Sequence, residues 1–154
     1  MPTYSVTYKF SQRLPASARR AYEWCTDYEP DDLSLMNKEG TRKIQRLTED
    51  TIILREVSLF GQKKIKKIKL IKLNRATLSW HNIQLSGPNK HSEFLYEIIP
   101  QNRGTSRLDF TGHLVVYSKA KLGSRRIRRI AEMERRGDAD GWKMLAKAIA
   151  KQLT

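Results

Sequence analysis

The stretch DADGWKMLAKAIAKQL, residues 138–153, carries the key to the fold. Trp142, Leu145, Ala146, Ile149 and Leu153 recur at i, i+3, i+4, i+7 and i+11, an apolar stripe with Lys143, Lys147 and Lys151 on the opposite side. Such a segment is an amphipathic helix whose apolar face must be covered, and Asp138 is its expected N-cap. Immediately upstream, Ala120 to Arg136 is basic and partly helical in pattern through Ile127, Ile130 and Met133, and Gly137 is expected to interrupt it. Whether Arg125 to Arg136 forms a helix or a loop is left open by this pattern.

The partner for that stripe lies further upstream. From Thr41 to Tyr117 the chain is written in short β-branched and aromatic runs, which read as a meandering antiparallel sheet. Six strands are expected: Thr41 to Leu47, Thr51 to Leu59, Lys63 to Leu73, Thr77 to Leu85, Ser92 to Ile99 and Arg107 to Tyr117. Glu49-Asp50, Gly61-Gln62, Asn74-Arg75, Gly87-Pro88-Asn89 and Asn102-Arg103-Gly104 supply turn chemistry between them. The run KKIKKIKLIKL, 63–73, also fits a basic amphipathic helix, because Ile65 and Ile68 are three apart. Its β-branched content favours strand, with a bulge near Lys66 restoring the alternation. A seventh strand opens the chain, where Tyr4, Val6, Tyr8 and Phe10 alternate with Ser5, Thr7 and Lys9. Pro15 then suits the first position of a helix carrying Ala18, Ala21, Tyr22 and Cys25 and closed by Asp27. A second short helix is expected over Pro30 to Met36, before Gly40.

The order of elements and several local words resemble the START-like (SRPBCC) superfamily. LPASARRAYEWCTDYEPDDLSLM, 14–36, is similar to that family's opening, a proline-led helix with an aromatic and a closing Asp, here Pro15, Tyr22 and Asp27. ATLSWHNIQL, YEIIPQNRGTSRLDF and DADGWKMLAKAIAKQL resemble its later strands and closing helix. The resemblance spans nearly the whole chain and implies one α+β domain over 1–154 with a helix-grip fold. That fold is a curved seven-stranded antiparallel sheet wrapped around a long C-terminal helix, with two short helices after the first strand. It also admits polyketide cyclase and dehydratase activities, for which no catalytic constellation is identified.

Such a sheet encloses more volume than its side chains need fill. By alternation the wall is drawn from Tyr8, Phe10, Leu78, Trp80, Phe94, Tyr96, Ile98, Leu108, Phe110 and Leu114, closed by Trp142, Leu145 and Ile149. Tyr96 and Trp80 stand out because each has a polar tip that needs a partner when buried. His81 and His113 should face outward if Trp80 and Phe110 face inward, and His91 lies beside a turn. With one cysteine, Cys25, read as a small buried hydrophobe, no metal-ligand spacing, disulfide or cofactor is expected, and the cytosol is the expected setting. Gly-rich phosphate loops and the GxSxG and HExxH motifs do not occur. Acid–base candidates in a pocket are Tyr96, His81 and Asp109.

Charge is the other specific feature. Among 154 residues, 30 Lys and Arg against 16 Asp and Glu leave +14. Residues 62–72 and 119–136 contribute six excess charges each, so two short runs carry 12 of the 14. Lys64, Lys66, Lys67, Arg125, Arg126, Arg128 and Arg129 are therefore the expected anion-binding surface. A lysine-studded edge strand, protected against sheet-to-sheet pairing, explains the first run equally well. No stretch approaches a transmembrane helix, and Met1 to Arg20 lacks a signal-peptide apolar segment. The expected partners are a small hydrophobic or lipid-like molecule and an anionic membrane surface. A cyclase-like enzyme and a nucleic-acid-associated protein are the alternatives, and oligomeric state is not legible.

Overall fold

The computed structural model describes residues 1–28 and 39–153. β1 spans Thr3–Leu14, α1 Ala18–Cys25, β2 Glu39–Arg46, β3 Thr51–Phe60, β4 Lys63–Asn74, β5 Ser79–Ser86, β6 Glu93–Pro100, β7 Ser106–Tyr117 and α2 Ser124–Leu153. Every strand pairing is antiparallel, and the sheet order is β1-β7-β6-β5-β4-β3-β2. The curved sheet wraps α2 in a helix-grip fold. The second short helix expected over Pro30 to Met36 falls outside the described residues.

Four local expectations are corrected. Pro15 does not start α1: β1 remains paired through Leu14, which is buried opposite Ser106, and the helix begins after Ser17, whose backbone is extended. β5 begins at Ser79 because Leu78 sits at φ 50 in the preceding turn. The bulge falls on β5, where Ile68 and Lys69 meet Ser86 and Gln84 and leave Leu85 as the extra residue. β4 is an interior strand flanked by β3 and β5, so protection of a sheet edge does not explain its lysines.

The largest correction concerns α2. It runs unbroken for 30 residues through Gly137 and Asp138, so Asp138 is mid-helix and caps nothing. The reason is tertiary. Ile127, Ile130 and Ala131 extend the stripe of Trp142, Ala146 and Ile149 back over the sheet. Burial along both halves outweighs the roughly 1 kcal/mol that a helix-interior glycine costs.

The core divides in two. Leu14, Ala21, Tyr22, Ile52, Leu54, Ile71, Trp80, Ile98 and Leu108 pack with Ala146 and Ile149 under α1 and the C-terminal half of α2. A smaller cluster of Tyr8, Phe110 and Leu114, with Val6, Phe10 and Phe94 around it, meets Ile130 of the N-terminal half.

Candidate functional site

A cavity of about 180 Å³ borders the larger packed region. Engineered apolar cavities of about 150 Å³ accept benzene, so the space suits one aromatic ring with a substituent. Its apolar wall includes Trp24, Tyr28, Leu54, Trp80, Tyr96, Trp142 and Leu145. Trp80 and Tyr96 are cross-strand partners whose rings stack at 4.7 Å, and Trp142 tilts onto both at 6.2 and 5.8 Å. These rings bound the hollow without filling it. Gly137 and Gly141 face it from α2, and a Cβ on Gly137 would meet no atom within 4 Å.

Beyond Leu54 the lining contributed by β2, β3 and β4 is charged. Ile52 and Leu54 are buried inward on β3, and the two-residue period carries Glu56 and Ser58 onto the same face. Ile71 and Leu73 set the phase of β4, which brings Lys69 and Lys67 inside. Register then places Arg42, Glu56 and Lys67 directly across three adjacent strands. Glu56 is 7% exposed and receives Lys69 Nζ at 3.0 Å and Arg42 at 3.4 Å. Burial alone would raise its carboxyl, but Lys69 and Arg42 outweigh that effect and hold it at about 2. Among the described lining residues three cations face two carboxylates, Glu56 and Asp138.

Two further polar contacts border the cavity. Tyr8 Oη donates to Asp138 Oδ2 at 2.6 Å, and Asp138 lines the cavity from the middle of α2. Burial and then the Asp138 charge push the Tyr8 phenol far above its ordinary value, so it remains a donor. Tyr96 is raised likewise, chiefly by burial. Asn82 Nδ2 reaches the Tyr96 hydroxyl at 3.5 Å, while its buried Oδ1 has no hydrogen-bond partner. A buried acceptor without a donor normally costs stability, so a guest's N–H or O–H would find a partner here.

Of the residues expected in the wall, Trp80, Tyr96, Trp142 and Leu145 come together around the cavity. Tyr8, Phe10, Phe94, Phe110 and Leu114 pack against one another in the smaller cluster, while Leu78, Ile98, Leu108 and Ile149 pack in the larger one. Lys67 lines the cavity, whereas Lys64 and Lys66 are exposed on the convex face. Arg125, Arg126, Arg128 and Arg129 are exposed on the first turns of α2. Asp109 is no pocket acid: it accepts two hydrogen bonds from Arg107, at 2.7 and 3.0 Å, and one from Ser11 on the outer face. His81 also faces outward, 3.6 Å from Glu93, and His113 is exposed beside Thr7. His91 contacts Tyr117, and Cys25 borders the cavity. No group of three metal-ligating side chains occurs among the described residues, and none of their helices is long and apolar enough to cross a membrane. Arg42, Glu56, Lys69, Asn82 and Asp138 were not expected in the site. For Glu56 and Lys69 the signal was the alternation phase of Ile52-Leu54 and Ile71-Leu73.

No family model and no curated protein matches the sequence. Solved structures do match the fold. The Zhui aromatase/cyclase of Streptomyces sp. R1128 superposes with a TM-score of 0.81 at 13% identity, over 98% of this chain and 97% of that one. A START superfamily protein from Mycobacterium smegmatis gives 0.73 at 14%, over 96% and 99%. Norcoclaurine synthase from Thalictrum flavum gives 0.73 at 10%, over 97% and 89%. The structure thus shares the helix-grip fold of these solved structures.

Proposed function

We propose that this START-like helix-grip chain binds a small, planar, hydrophobic molecule bearing an anionic or hydrogen-bonding substituent, and that its basic exterior meets anionic headgroups. The carrying observation is the two-sided cavity, with the Trp80, Tyr96 and Trp142 rings on one wall and Arg42, Lys67 and Lys69 on the other. An aromatic guest would lie against the rings, and its substituent would reach the cations or the vacant Asn82 Oδ1. Native mass spectrometry of freshly purified protein and tryptophan-fluorescence titration with benzoate and benzyl alcohol test this. Benzoate should bind about tenfold tighter than the uncharged alcohol, and Lys69→Met should reduce the difference. A protein that carries no guest and responds to neither probe would refute the reading.

A cyclase-like enzyme is the second reading, favoured by Asp138. Its carboxylate is held by the Tyr8 phenol and borders the cavity, where it could take a proton from a guest. Two of the structures sharing the fold carry enzyme names. A guest altered by the wild type but recovered intact from Asp138→Asn protein would mark this reading.

A further inference from the structure

Three turns and loops meet at one end of the sheet. The β3–β4 turn is Gly61-Gln62, and the β5–β6 turn adjoins β4 so closely that a Cβ on Gly87 would fall 2.3 Å from the Lys66 carbonyl oxygen. Lys90 of that second turn lies 5.2 Å from the ring centre of Tyr117, at the end of β7, and His91 contacts the same residue. From Tyr117 the chain passes Lys119 and Lys121 and enters α2, whose first turns carry Arg125, Arg126, Arg128 and Arg129. The segments 57–68, 85–92 and 117–129 together contain eleven Lys and Arg and no Asp or Glu. Glu39, exposed opposite Leu59 on β2, is a carboxylate at the same end. The end is therefore strongly, though not purely, cationic.

Charge alone would suit any polyanion. The apolar residues are what discriminate. Phe60, at the tip of the β3–β4 hairpin, is 80% exposed, Leu59 is 42% exposed, and the bulge residue Leu85 is 43% exposed. Lys63 and Lys64 are the cross-strand partners of Phe60 and Leu59, so the lysines flank the apolar tip. Phosphates of a nucleic acid would satisfy the cations yet leave these side chains in water, whereas a bilayer supplies both an anionic surface and an apolar phase just beneath it. Phe60 also continues the inward face of Glu56 and Ser58, both of which line the cavity. The tip thus leads along one strand face from the exterior to the site.

We propose that this end docks on an anionic lipid bilayer, with Phe60 and Leu59 entering the interface and Lys63, Lys64 and Lys66 held at headgroup level. The inference deepens the exterior half of the reading above. It places the cavity rim toward the source of an amphiphilic guest.

The test is co-sedimentation of the full chain with vesicles of phosphatidylcholine alone or with about a third phosphatidylserine, at low and moderate salt. The wild type should sediment with the anionic vesicles only, and less at higher salt. The double variant Phe60→Ser, Leu59→Ser should partition about tenfold more weakly. Replacing Lys63, Lys64 and Lys66 by Gln should weaken it about a hundredfold. Far-UV circular dichroism and the benzoate titration should show both variants folded and still able to bind in the cavity. Anionic-vesicle binding unchanged by the tip substitutions would overturn insertion while leaving headgroup attraction intact. If the wild type ignores vesicles but binds duplex DNA with a steep salt dependence, bilayer docking and the headgroup reading both fail, and the benzoate result stands separately.

Discussion

The inner face of the sheet is built in two contrasting halves. On β1, β6 and β7 it is aromatic and filled: Phe10 stacks on Phe110 at 4.6 Å, and Tyr8, Phe94 and Tyr96 surround the same ring at 5.1–5.9 Å. On β2, β3 and β4 it bears Arg42, Glu56, Lys67 and Lys69, and a cavity lies before it. Both halves obey the same alternation, so periodicity does not distinguish a packed interior from a hollow one. The side chain opposite does. Ile130 packs against the aromatic half, whereas α2 presents glycines at 137 and 141 where the cavity lies. Charged groups reinforce the difference, because ion-paired side chains cannot collapse into an apolar core without losing their partners.

Substitutions in the two halves should therefore fail differently. Phe110→Ala should cost about 4 kcal/mol in urea unfolding, because it leaves a void among four rings. Glu56→Ala should cost about 3 kcal/mol at neutral pH by leaving Lys69 and Arg42 without their carboxylate. The pH dependence has a definite sign. The folded Glu56 value of about 2 lies below its ordinary 4.5, so its stabilisation is complete above about pH 4.5 and declines as pH falls toward 2. Glu56→Gln should flatten stability over that window; an unchanged acid slope would place the titration elsewhere.

Smaller effects sharpen the contrast. Gly112 faces Tyr8 across the β1–β7 pair, and a Cβ there would lie 2.6 Å from the Tyr8 ring. Gly112→Ala should therefore cost about 2 kcal/mol in urea unfolding by displacing the Tyr8 ring from its contact with Asp138. Gly137→Ala should act oppositely, raising stability by about 1 kcal/mol because the added methyl meets nothing and helix propensity improves. Gly137→Leu should keep the fold yet weaken benzoate binding; equal binding would mean that this side of the helix does not bound the guest.

Much of the architecture was legible in the sequence because it depends on local periodicity. Alternation located β1, and breakers separated β2 to β7 to within two residues at each end. The stripe from Trp142 to Leu153 revealed the C-terminal half of α2. Its N-terminal half was obscured, because Gly137 and Asp138 read as a boundary until burial of Ile130 and Ala131 against the sheet is counted. Part of the apolar wall was legible as well, since Trp80, Tyr96, Trp142 and Leu145 are inward by period, whereas Trp24, Tyr28 and Leu54 were not expected there. The charged wall was not, because lysines in a basic run read as a solvated face unless their phase is extended from Ile71 and Leu73.

The sequence by itself determined the strands, the amphipathic helix and the concentration of positive charge in two runs, all consequences of residue type and spacing along a short length of chain. Only the tertiary structure decided that Arg42, Glu56 and Lys67 stand in one row, that Tyr8 meets Asp138 across 130 positions, and that space remains beneath Trp142. Those features depend on register between strands and on the volume left between a curved sheet and a helix. Such distances are set by how whole elements pack, and no local pattern records them.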